Sequence, residues 1–161
     1  MELLGVRVEL PANTPVVMLR EEDGGRGRVL PILIGGPEAS AIHSAMEGIV
    51  PPRPLTHDLF VNVMRTLGAT LDKVVITEVR EHTFYAELHL TTATGAQVVS
   101  SRPSDAIALA VRAAAPIFAA EDLLDEAAVE VPDDEEEGDA EAILDEFRDF
   151  LDDVSPDDFA G

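Results

Sequence analysis

Glu38-Ala39-Ser40-Ala41-Ile42 reappears in kind as Asp105-Ala106-Ile107-Ala108-Leu109. Each acid follows a strand-like run and a proline (Pro37, Pro103). Each is then followed by a second acidic motif, His57-Asp58-Leu59-Phe60 in the first half and Glu121-Asp122-Leu123-Leu124 in the second. Spacings upstream agree as well: Val8 to Val17 and Ile76 to Tyr85 are both nine residues, Val17 to Glu38 is 21 and Tyr85 to Asp105 is 20. Matching offsets over this much chain predict two copies of one unit, three strands then two helices, related by a pseudo-twofold axis. The fold class expected is therefore α+β, with mixed or antiparallel sheets packed with helices. The repeats should run over about residues 1–68 and 69–128.

Composition sets the outer bounds. The 161 residues are 46% hydrophobic, enough for a real core, and include no cysteine, which removes disulfides and thiolate metal sites. No run of 18 apolar residues occurs and the N-terminus lacks a basic-then-apolar segment, so a soluble, cytoplasmic protein with no membrane partner is expected. The net charge of −21 is unevenly placed. Residues 1–120 hold 13 acids against 10 Lys and Arg, whereas residues 121–161 hold 19 acids against Arg148 alone. Strong overall acidity argues against a nucleic-acid partner, but the nearly neutral body can still carry a local arginine cluster.

Along the chain, Leu4, Val6, Val8 and Leu10 alternate with Gly5, Arg7 and Glu9, a strand with one wet face. Strands are also expected over Val16–Arg20 and Val29–Ile34, with a hairpin at Glu22–Gly25 and Pro31 at an edge or bulge. Gly35-Gly36-Pro37 opens a helix running to about Gly48, Pro51–Pro54 is a rigid connector, and Thr56 is an N-cap for a helix that ends at Gly68. The second unit repeats this plan with strands over Leu71–Val79, Thr83–Thr91 and Ala96–Ser101. A largely buried helix follows over Pro103–Ala114, then a short one around Glu121–Ala127. Residues 129–161 form a separate tail: an acidic, disordered linker over Asp133–Asp139, then Ile143, Leu144, Phe147, Phe150, Leu151 and Val154 at helical spacing.

Three segments, Leu30–Ala39 (Leu-Pro-Ile-Leu-Ile-Gly-Gly-Pro-Glu-Ala), Arg53–Leu59 (Arg-Pro-Leu-Thr-His-Asp-Leu) and Ser101–Ala110 (Ser-Arg-Pro-Ser-Asp-Ala-Ile-Ala-Leu-Ala), stand together with Phe84-Tyr85-Ala86. In that order they resemble the bifunctional nuclease family of bacteria and plants over roughly residues 1–128. The resemblance implies a two-unit α+β fold, nuclease activity on DNA and RNA, and homo-oligomerisation. One departure is visible. Family members commonly carry an acid before the Ala-Arg-Pro-Ser-Asp segment, where this chain reads Val99-Ser100-Ser101-Arg102.

Phosphodiester hydrolysis needs charge stabilisation at phosphate and an activated water, supplied by carboxylate-held Mg²⁺ or Mn²⁺ with Arg, or by His as general base. The candidates are Glu38, Asp58 and Asp105 as catalytic carboxylates and metal ligands, and His57 as base. Arg53 and Arg102, with Ser104, are candidates for gripping phosphate. Each acid also has a purely structural reading, since a carboxylate in a first helical turn is favoured by the helix dipole, and each arginine could simply pair with such an acid. His57 and Asp58, adjacent on one helix, point about 100° apart and cannot pair with each other. His43 and Glu47 at i, i+4 lack a third ligand. No Walker, Gly-x-Gly-x-x-Gly, His-Glu-x-x-His or Gly-x-Ser-x-Gly pattern occurs, and no organic cofactor is expected. An aromatic content of 4% leaves few platforms for base stacking, so nucleic acid should be held through its phosphates without sequence preference.

Three functions are thus in view. The leading one is a sequence-nonspecific, metal-assisted nuclease. The alternative is a non-catalytic interaction or regulatory module whose acidic tail recruits a basic partner. In the third, the tail mimics nucleic acid and shields the arginine corners of the core.

Overall fold

The computed structural model describes residues 1–9, 13–22 and 27–130. The first half supplies β1 (Glu2–Glu9), β2 (Thr14–Arg20), β3 (Arg28–Leu33), α1 (Gly36–Met46) and α2 (Thr56–Thr66). The second supplies β4 (Thr70–Arg80), β5 (Thr83–Thr92), β6 (Gly95–Ser101), α3 (Pro103–Ala113), β7 (Ile117–Ala119), α4 (Glu121–Ala127) and β8 (Val129–Glu130). The class is α+β, as the sequence indicates, and each half begins with an antiparallel three-strand meander. The Glu22–Gly25 hairpin, the acidic linker and the amphipathic stretch from Ile143 to Val154 lie wholly or mostly outside the described residues.

The strands form two sheets ordered β1-β2-β3-β8 and β6-β5-β4-β7. The two short strands, β7 and β8, have no counterpart in the sequence reading, because two or three residues cannot display a period of two. They also break the likeness between the halves. β7 runs parallel to β4, with Ile117 opposite Val74, while β8 crosses to the first sheet and lies antiparallel to β3, with Val129 opposite Val29.

Two local expectations need correction, and one is met. The alternation expected from Leu4 to Leu10 fails because the register with β2 slips between Leu3 and Gly5. Leu3 and Val6 pack toward the main core, and Leu4 packs instead with Val16, Met18 and Val29. Gly5, at φ 144°, takes a backbone angle at this bulge that side-chain-bearing residues rarely adopt. Pro31 meets the expectation as an edge position and not as a bulge: it pairs in register with Met18 and is buried. β8 pairs only with Arg28 and Val29, so among the described residues no strand lies on the other side of Pro31. Finally, Leu55, not Thr56, occupies the cap of α2, where the Asp58 carboxylate accepts the Leu55 backbone N–H at 2.9 Å.

One core serves both halves. Leu19 and Leu30 from the first sheet, Ile42 of α1, Ile76 of β4, Ile107 of α3 and Leu123 of α4 belong to a single buried cluster. The centre of α3, Ala106 through Ala110, is fully buried, and both α1 and α2 pack against it. Among the described residues, no helix is long and apolar enough to cross a membrane.

Candidate functional site

Three helix N-termini converge because α3 is the shared packing partner of α1 and α2. The chain enters α1 through Gly35-Gly36-Pro37 and α3 through Arg102-Pro103, each proline sitting where its missing N–H has no intrahelical use. The acid that follows, Glu38 or Asp105, then lies in the first turn. With Thr56 and His57 at the start of α2, these turns line an open cleft of roughly 420 Å³. Ser40 and Ser44 of α1 add hydroxyls to its wall.

In the cleft, Arg102 grips Asp105 with both ends of its fork, Nε to Oδ2 at 2.8 Å and Nη2 to Oδ1 at 3.1 Å. Its Nη1 reaches Glu38 Oε1 at 2.9 Å. The two acids in matching positions of the two halves therefore meet on one guanidinium. Asp105 Oδ1 also contacts His57 Nε2 at 3.2 Å, closing a line of four side chains from Glu38 to His57. Gly35 makes room for this arrangement: a Cβ there would stand 2.3 Å from Glu38 Oε2.

The electrostatics follow from this geometry. Arg102 holds the Asp105 carboxyl below the usual carboxylate range, with a smaller contribution from His57, and Asp105 and Glu38 raise the Arg102 pKa further above its ordinary value. An ionised Asp105 can only accept, so His57 Nε2 is the donor of this bond, and in the neutral ring the lone pair is then on Nδ1. Arg102 has five N–H donors, three of them engaged here, and its side chain remains 64% exposed. Two donors therefore remain for an anion.

The other sequence candidates lie elsewhere. Asp58 uses both oxygens away from the cleft, one on the Leu55 cap and the other, Oδ1, 2.5 Å from Arg112 Nε. Arg112 lowers the Asp58 pKa and also donates to the backbone oxygens of Ala41 and Ala108, at 3.0 Å each, so one guanidinium ties α1, α2 and α3 together. Arg53 is exposed and does not line the cleft, and Ser104 is buried under the first turn of α3. His43 and Glu47 face solvent. Among the described residues, no three His, Asp or Glu side chains are grouped closely enough to hold a metal ion. Where a cation shared by Glu38 and Asp105 would stand, Arg102 already stands, so these side chains as arranged do not fit a resident ion.

The sequence reading passed over Arg112, and also Arg28, buried at the start of β3 and bonded to Glu21, Glu121 and Asp125. A signal for Arg112 was available: an arginine in the last turn of an otherwise apolar helix must find partners. Arg28 had none, because its partners lie up to 97 residues away.

The profile of the family described as Bifunctional nuclease domain matches residues 17–132. Two similar proteins of Mycobacterium tuberculosis are Uncharacterized protein MT1877 (strain CDC 1551 / Oshkosh) and Uncharacterized protein Rv1829 (strain ATCC 25618 / H37Rv). Each is 44% identical to this chain over 161 residues, an alignment covering 98% of this chain and 95% of the relative.

Proposed function

We propose, from the premise that this chain belongs to the bifunctional nuclease domain family, that the cleft between α1, α2 and α3 hydrolyses phosphodiester bonds of DNA and RNA. The observation that carries this reading is the connected set Glu38, Arg102, Asp105 and His57 at a single opening. The two spare donors of Arg102 grip a backbone phosphate, aided by the partial positive charge of three helix N-termini. Asp105 fixes the imidazole of His57 with its free Nδ1 as proton acceptor. Water adds to phosphorus and passes a proton to Nδ1, while the bond from phosphorus to the sugar oxygen breaks and that oxygen leaves as an alcohol, taking a proton from solvent. No Phe, Tyr or Trp lines the cleft, which accords with a grip through phosphate and without base stacking. Mg²⁺ or Mn²⁺ belongs to this reading as an ion arriving with the polyanionic substrate, since Arg102 already occupies the resting carboxylates.

The test is cleavage of labelled single-stranded DNA and RNA by the full chain, with Mg²⁺, with Mn²⁺ and with EDTA. His57→Ala, Asp105→Asn and Arg102→Ala should each lower the rate by about 10²-fold or more. Undiminished cleavage in all three would sink the proposal.

A second reading, the non-catalytic module, draws on the charge count at the cleft. Two carboxylates face one arginine, so with His57 neutral the site is net −1, and a basic peptide suits it better than a phosphate. That reading expects no cleavage, together with binding of basic partners that is lost in Glu38→Gln.

A further inference from the structure

α2 has two apolar faces, and only one is buried. Val61 and Met64 point into the core, whereas Leu59, Phe60, Val63 and Leu67 stand 45 to 75% exposed. At 3.6 residues per turn these four lie within an arc of about 100°. Leu55, one turn before Leu59 and also exposed, extends the patch and lines the cleft. Exposed apolar surface of this kind marks an interaction site.

Charge selects the occupant. From residue 48 to residue 70 the only acid is Asp58, which is committed to Arg112. Arg53, two residues before Leu55, has no ion-pair partner among the described residues, whereas Arg65 lies about 190° round α2 from the centre of the patch. The chain next to the patch thus offers a cation and no free carboxylate. An acidic amphipathic segment matches it in both respects. The chain contains one. Ile143, Leu144, Phe147, Phe150, Leu151 and Val154 fall within an arc of about 120° at helical spacing, among the 14 acids of residues 131–161.

Reach is sufficient. β8 ends at Glu130, and the 12 residues from 131 to 142 can span up to about 40 Å. A body of this length has a radius of gyration of only about 14 Å. We propose that residues 143–154 dock on the exposed apolar face of α2, laying carboxylates along the rim of the cleft. The effect on the cleft rests on the nuclease reading given above; the docking itself does not.

Arg148 is the only Lys or Arg beyond residue 120, so trypsin cleavage after it reports on the tail in the intact protein. Leu59→Ser/Phe60→Ser and, separately, Val63→Ser/Leu67→Ser remove the face without touching the cleavage site, and all four positions are exposed. Docking predicts cleavage after Arg148 at least about tenfold faster in both variants than in the unaltered chain. A tethered segment meets its site at about millimolar effective concentration, so protection should survive dilution from roughly 100 µM to 1 µM. Equal rates in all three proteins would overturn the proposal, and protection lost on dilution would assign the face to a second copy instead. In parallel, both variants should cleave single-stranded DNA faster than the unaltered chain. Absence of DNA cleavage in every protein counts against the nuclease reading, while the trypsin rates still decide the docking.

Discussion

Asp58 and Asp105 were interchangeable as letters, each an acid in a first helical turn, and the fold gives them different work. Asp105 is shared by an exposed arginine and a histidine at the mouth of a cleft, whereas Asp58 is held by Arg112, whose side chain is only 10% exposed. Replacing Arg112 with Met should leave the Asp58 charge and two backbone carbonyls without their donor and cost about 2–4 kcal/mol of stability by urea unfolding. Asp105→Asn, beside an exposed Arg102 that can turn to water, should cost under about 1 kcal/mol. Both acids have folded pKa values below their unfolded ones. Their stabilisation is therefore complete above the ordinary Asp value of about 3.9 and is lost as pH falls through the lowered folded values. Urea midpoints measured from neutral pH downward should drop below about pH 4, and Asp58→Asn should flatten that drop.

The helices were legible because their punctuation is local. Proline at the start of α1 and α3, and apolar stripes at 3.6-residue spacing, act within a few residues of where they stand. β1 was misread at Gly5, since a bulge is set by the partner strand and leaves the apolar pattern of its own strand out of phase. The turn between β4 and β5 is another case. Glu81 and His82 hold φ 47° and 59°, angles that favour Asn and Gly in a two-residue hairpin. Glu81→Asn with His82→Gly should stabilise the protein by about 1 kcal/mol, a rise in melting temperature of about 2–4 °C. No change, or a fall, would mean that contacts of the native pair outweigh the backbone angle.

Across the molecule, the two halves are joined by more than a common core. β8 adds to the first sheet, and Arg28 of β3 holds Glu121 and Asp125 of α4 at 2.9 Å each. Arg28→Met should cost about 1–3 kcal/mol, less than a wholly buried pair because both of these acids are more than half exposed. Amide hydrogen exchange should then rise in α4 and β8 before it rises in β4 and β5. The chain's own letters were enough to determine the α+β class, the repeating order of strands and helices, and Glu38 and Asp105 as matching positions, because periodicity, caps and turns are short-range effects. Only the tertiary structure decided that these acids share Arg102, that Asp105 orients His57, and that Asp58 belongs to Arg112. Those pairings span 48 to 64 residues of chain. At that separation the partner of a charge is chosen by how helices pack on α3, and no local pattern encodes that choice.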